Sequence, residues 1–143
     1  MADNVIYSLS KKFALRIVKL YLYLHDEQKE FVMSKQIYRC GTSIGANIAE
    51  SRFGQSDADH ISKLSIALKE ASETMYWLEL LHEADFINKK QFDSLYNDAK
   101  TIVGTLVNIV NKLKNKTKMQ INEGICKKES IDILKKFFKE KRK

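Results

Sequence analysis

The stretch Gln36-Ile37-Tyr38-Arg39-Cys40-Gly41-Thr42-Ser43-Ile44-Gly45-Ala46-Asn47-Ile48-Ala49-Glu50 reads as one amphipathic helix with two stripes. Ile37, Gly41, Ile44 and Ile48 recur at spacings of four, three and four, so they share a face. Gly41 and Gly45 leave room there for a neighbouring helix, and the expectation is that the second and third helices meet tightly at these glycines. A quarter turn away, Gln36, Arg39, Ser43, Asn47 and Glu50 form a polar row. A solvated face is more usually written with Lys and Glu. Short amide and hydroxyl side chains lose less entropy when fixed, so this row is expected to be buried in contacts.

Downstream, Gly54 is expected to close this helix in the left-handed conformation, and Ser56-Asp57-Ala58-Asp59 resembles a capping box. Ile61, Leu64, Leu68, Ala71, Met75, Leu78 and His82 then repeat at three and four, a heptad seam. Asn88 with Gln91 marks another helix start, and Phe92, Leu95, Ala99, Ile102, Leu106, Ile109 and Leu113 repeat the same spacing. Upstream, Phe13, Ile17, Leu20 and Leu24 stripe a helix expected from about Ser8 to Phe31. Proline is absent from all 143 residues. Average usage of roughly 5% would give about seven, and without them the main breaker of helices is missing.

Four apolar seams with short connections predict an all-α fold, an antiparallel up-down four-helix bundle over 1–115. Residues 114–128 lack a sustained period and read as linker or frayed extension. A basic C-terminal tail is expected over 116–143, with a short amphipathic helix near 129–140 through Ile131, Leu134 and Phe138.

The net charge of +7 is unevenly placed. Residues 1–109 hold 13 Lys and Arg against 14 Asp and Glu, and 110–143 hold 12 against 4. Lys118, Lys127, Lys128, Lys135, Lys136, Lys139, Lys141, Arg142 and Lys143 are the candidate contacts to a polyanion, RNA or DNA. No apolar run approaches the roughly 20 residues of a membrane span, and Met1-Ala2-Asp3-Asn4 lacks a secretory start, so no membrane partner and a cytoplasmic location are expected. Cys40 and Cys126 have no metal-ligand spacing and read as free thiols.

Catalytic constellations are weak. Glu79-Leu80-Leu81-His82 is one Glu-x-x-His step, but a carboxylate-bridged metal centre needs a second, and neither His25 nor His60 follows a Glu at that spacing. His82 is better read as the end of a core seam. Ser43 and Ser56 have no local His, Cys40 has no evident base, and Gly41-Thr42-Ser43-Ile44-Gly45 lacks the Gly-Lys-Ser ending of a phosphate loop. No enzymatic activity, metal or cofactor is expected.

The run Gln36 to Glu50, Gln55-Ser56-Asp57-Ala58-Asp59, and Lys63 through Leu78 resemble the signature of a bacterial four-helix-bundle family encoded in intervening sequences of 23S ribosomal RNA. The resemblance covers roughly residues 8–113. It implies an up-down bundle assembled as a homopentameric ring, without known catalysis. A related branch, the accessory variability determinant of diversity-generating retroelements, is a basic pentameric barrel working with a reverse transcriptase and nucleic acid. This chain differs from that branch in its near-neutral body. It also has Cys40 where the motif more often shows Ser, and Arg52-Phe53 where small residues are common. By motif position, the marked residues fall on Arg39, Ser43, Asn47, Glu50, Gln55, Glu70, Glu73 and Trp77, which with Gln36 are the expected subunit interface or polar network. Two functions follow: a non-enzymatic homo-oligomer that binds RNA or a nucleic-acid protein complex through basic surface and tail, or a protein-protein scaffold whose tail only solubilises.

Overall fold

The computed structural model describes the backbone of residues 2–126 and the side chains of residues 5–118. Four helices, α1 Ala2–Leu22, α2 Met33–Ser51, α3 Asp57–Glu83 and α4 Lys89–Cys126, follow one another, with no strand among the described residues. The chain divides into two units, Met1–Val110 and Asn111–Lys143. In the first, all four helices pair as neighbours, each antiparallel to the next. Tyr21 meets Tyr38 across α1 and α2, Arg39 meets Glu73 across α2 and α3, His82 meets Phe92 across α3 and α4, and Arg16 closes the circuit onto Asp98.

Helix α1 begins earlier than its main stripe suggests, because Ile6 and Ser10 extend the buried face formed by Phe13, Ile17, Leu20 and Leu24. It also stops earlier. The turn Tyr23–Glu27 widens to π geometry, where the Gln28 amide donates to the Tyr23 carbonyl at 3.2 Å, and Lys29 takes φ 56. Phe31 therefore lies outside the helix.

Beyond that turn, Glu30 supplies the cap of α2. Its carboxylate accepts the amide N–H groups of Ser34, Met33 and Val32 at 2.7, 3.0 and 3.2 Å. Partial burial opposes ionisation of Glu30, but these amides outweigh it and hold its pKa below 4.5. A depressed carboxyl pKa contributes stability above the unfolded-state value, and that contribution disappears as pH falls through the folded-state value. Glu30→Ala should therefore cost about 1 kcal/mol at pH 7 by urea unfolding, and the gap between variant and wild type should narrow at pH 3. A gap of the same size at both values would remove the ionised cap.

The other helix ends combine legible and illegible signals. Ser56 Oγ accepts the Asp59 amide at 3.1 Å. Asn88 and Gln91 cap reciprocally, each side chain accepting the other's amide at 2.8 Å. Gly54, by contrast, has no positive φ. The end of α2 tightens instead, with the amides of Arg52, Phe53 and Gly54 donating to the carbonyls three residues back at 3.3, 3.1 and 3.2 Å. The left-handed residue after α3 is Asp85, with φ 66.

The seam of α4 is buried at Leu95, Ala99, Ile102, Leu106 and Ile109. That of α3 is offset from the expected heptad. Its buried row is Leu64, Ala67, Ala71, Thr74, Leu78 and Leu81, leaving Leu68, Met75 and His82 half-buried beside it. The glycines of α2 also face a different partner. A Cβ on Gly41 would lie 2.8 and 2.9 Å from the γ carbons of Ile17, and one on Gly45 3.3 Å from Ser10 Oγ, so the close approach is to α1 and not to α3. Finally, α4 continues as helix to Cys126 through residues expected to be linker. The segment expected to form a short helix near 129–140 lies outside the described residues.

Candidate functional site

The polar row of α2 faces outward along the α2/α3 edge. Arg39, the second residue of the row, places its guanidinium 2.5 Å from Glu73 and 3.6 Å from Glu70, both on α3. In the last turn of α2, Glu50 pairs with Lys63 at 2.8 Å. The shorter side chains turn back onto their own helix. Ser43 Oγ donates to the Arg39 carbonyl at 2.6 Å, and Asn47 Nδ2 to the Ser43 carbonyl at 2.9 Å. In a single chain Ser43, Asn47, Glu70, Glu73 and Trp77 are half-buried, whereas Gln36, Arg39, Glu50 and Gln55 are exposed. The row is thus brought together with Glu70 and Glu73, but Gln55 sits past the helix end.

Beneath this edge lies Cys40, fully buried, with Thr74 Oγ1 3.2 Å from its sulfur. Burial pushes its thiol up to about 11, the Thr74 contact and Arg39 partly offsetting burial and Glu73 adding to it. At neutral pH it is a protonated core residue with no nucleophilic role. Glu70 Oε2 and Trp77 Nε1 are shielded and have no hydrogen-bond partner among the described residues. Removing Arg39 would leave the shielded Glu70 carboxylate without its counter-charge.

His82 stacks on Phe92 with centroids 4.8 Å apart, and in the Nδ1–H tautomer donates to the Ile87 carbonyl at 3.2 Å. Glu79 instead faces the Tyr96 hydroxyl at 3.4 Å. The Glu-x-x-His step is therefore split between two separate contacts. Among the described residues no group of three or more His, Cys, Asp or Glu side chains could hold a metal ion, and no helix is long and apolar enough to cross a membrane.

The family model for 23S rRNA-intervening sequence proteins matches residues 2–108, a span that holds the polar row, the two glycines and the Ser56 cap. The chain belongs to this family. A crystal structure of a protein of unknown function from the S23 ribosomal protein family of Bacteroides thetaiotaomicron VPI-5482 is 57% identical. The match covers 78% of this chain and 99% of that one, with a TM-score of 0.77. No curated protein matches. The matched span ends before Lys112, so the basic C-terminal stretch lies outside the match.

Sequence periodicity had no means of finding Lys63 and Thr74. Each acts through a partner 13 or 34 positions away, at Glu50 and Cys40, and no local spacing signals a cross-helix contact. Of the basic residues expected to meet a polyanion, Lys118 is exposed on α4, and Lys127, Lys128, Lys135, Lys136, Lys139, Lys141, Arg142 and Lys143 lie outside the described residues.

Proposed function

We propose that this protein is a non-enzymatic homo-oligomer, assembled as a pentameric ring, that binds RNA or an RNA-protein complex through its basic surface and tail. The observation that carries the reading is charge placement: net −1 over residues 1–109 and +8 over 110–143, on a bundle whose family takes its name from intervening sequences of ribosomal RNA. The exposed part of the polar row supports assembly. Gln36, Arg39 and Glu50 stand in a line on α2 with hydrogen-bonding capacity a neighbouring subunit would use.

Light scattering at micromolar concentration, coupled to retention of labelled RNA across a salt series, tests both halves. The expected mass is about five times the 16.6 kDa chain, and RNA retention should fall steeply with salt. Asn47→Lys, in the middle of the row, should lower the assembled mass. A monomer would remove the ring. Assembly without RNA retention at low salt would leave the protein-protein scaffold as the function.

A further inference from the structure

The near-neutral charge of the bundle conceals a segregation between its helices. From Asn4 to His25, and again from Phe31 to Ala49, the sequence contains no Asp or Glu, whereas α3 carries Asp57, Asp59, Glu70, Glu73, Glu79 and Glu83. Of the cations on α1 and α2, Arg16 is taken up by Asp98 and Arg39 by Glu70 and Glu73. Among the described residues Lys11, Lys12, Lys19 and Lys35 form no ion pair. Glu30, in the connection between the two helices, is turned into the amides of α2, and Asp26 lies 3.0 Å from His25 Nδ1.

The outer seam between α1 and α2 is also lined with rings. At one end a groove of about 390 Å³ is bounded by Val18, Tyr21, Leu22, Lys35 and Tyr38. Tyr38 packs on Tyr21 at 4.9 Å, Tyr21 on His25 at 5.6 Å, and His25 on Phe31 at 4.8 Å. This makes a chain of four rings whose outer members, Tyr38 and Phe31, are 42% and 47% exposed. At the other end the Arg52 guanidinium lies 4.1 Å above the Tyr7 ring and Lys11 Nζ 6.0 Å from it, and Phe53, next to Arg52 in sequence, is 84% exposed. Tyr7 and Tyr21 are 14 residues apart on one helix, so the two ends are separated by about 21 Å. Between them Ala14, Thr42, Ala46 and Ala49 keep the seam low.

We propose that the α1/α2 seam is a binding track for single-stranded RNA, with bases stacked on Tyr38 at one end and on Phe53 or Tyr7 at the other, and phosphates over Lys35 and Lys11. The inference rests on the RNA-binding reading above and places a second, body-borne contact beside the tail. Exposed rings interleaved with lysines that form no ion pair, and no Asp or Glu from Asn4 to His25 or from Phe31 to Ala49, match the two requirements of sequence-tolerant single-strand binding: ring faces for bases and positive charge for the backbone. The competing occupant is the acidic α3 of a second copy.

The test is ultraviolet cross-linking of the full chain to an oligouridylate about a dozen nucleotides long, with peptide mapping, alongside affinity and light-scattering measurements on Tyr38→Ala, Tyr38→Phe and Lys11→Ala/Lys35→Ala. Cross-links are expected in the peptides holding Tyr38 and Tyr7 or Phe53. Tyr38→Ala should weaken binding by about five- to a hundredfold, with Tyr38→Phe close to wild type. The double lysine variant should lower the slope of log affinity against log salt by about 1.4, all variants melting as wild type. Wild-type binding with cross-links confined to residues after 110 and unchanged variant affinities would overturn the track while leaving RNA binding in place. No binding by wild type would overturn both. A lysine variant that loses subunits and keeps its RNA affinity would assign the face to a second copy, overturning the track.

Discussion

Gly41→Ala is expected to destabilise the bundle by about 1–3 kcal/mol, lowering the melting temperature by roughly 3–12 °C. A methyl on Gly41 would sit 2.8 and 2.9 Å from the two γ carbons of Ile17 and 3.3 Å from its Cβ, distances at which something has to move. Ile17 cannot move cheaply. It is β-branched, fully buried, and held within the continuous helix α1, so relief requires shifting one helix against the other. Gly104→Ala is the matched control. Beyond the adjoining backbone of α4 itself, no described atom lies within 4 Å of a Cβ there, and the residue is in the interior of α4, so the same substitution should stabilise by up to about 1 kcal/mol. Equal melting temperatures for Gly41→Ala and wild type would refute the close approach of α1 and α2.

Deleting residues 127–143 should abolish most RNA retention without unfolding the bundle. The segment carries Lys127, Lys128, Lys135, Lys136, Lys139, Lys141, Arg142 and Lys143 against Glu129, Asp132 and Glu140, a net of +5, and none of the buried seam residues. At about −0.7 per neutralised phosphate, the salt slope should flatten by three to four. In the proposed pentameric ring five such tails would act on one polyanion, amplifying the loss. The cut belongs at 127 because α4 is helical to Cys126, and ending the chain at 116 would remove part of that helix. Affinity that remains after truncation should depend on Tyr38, which links this deletion to the track between α1 and α2. Full retention by the truncated chain would make the tail a solubilising extension.

Helix number, order and type were legible because every seam repeats over several turns and proline is absent. The α4 seam was readable almost residue by residue, since it runs to large aliphatic side chains at a fixed spacing. The α3 seam was not. Ala67 and Thr74, small or polar, are buried there, while Leu68 and Met75 are only half-buried. Hydrophobicity ranks the side chains, but depth depends on where α2 lies. Similarly, Ser56 and the Asn88–Gln91 pair are caps whose chemistry is contained within four residues, and they read correctly. Gly54 did not, because the local hydrogen bonds at the end of α2 admit a tight turn without a left-handed residue.

What the sequence determined by itself was therefore local: an all-α chain, its caps, its apolar periods, and a basic end following a near-neutral body. The tertiary structure decided which faces meet. It turned Gly41 and Gly45 toward Ile17 and Ser10, gave Arg39 to Glu70 and Glu73, and took Arg16 to Asp98, leaving Lys11, Lys12, Lys19 and Lys35 without an ion pair among the described residues. The reason is that a helix's periodicity fixes the angle between its own residues, whereas the neighbour each stripe receives is set by packing among several helices at once.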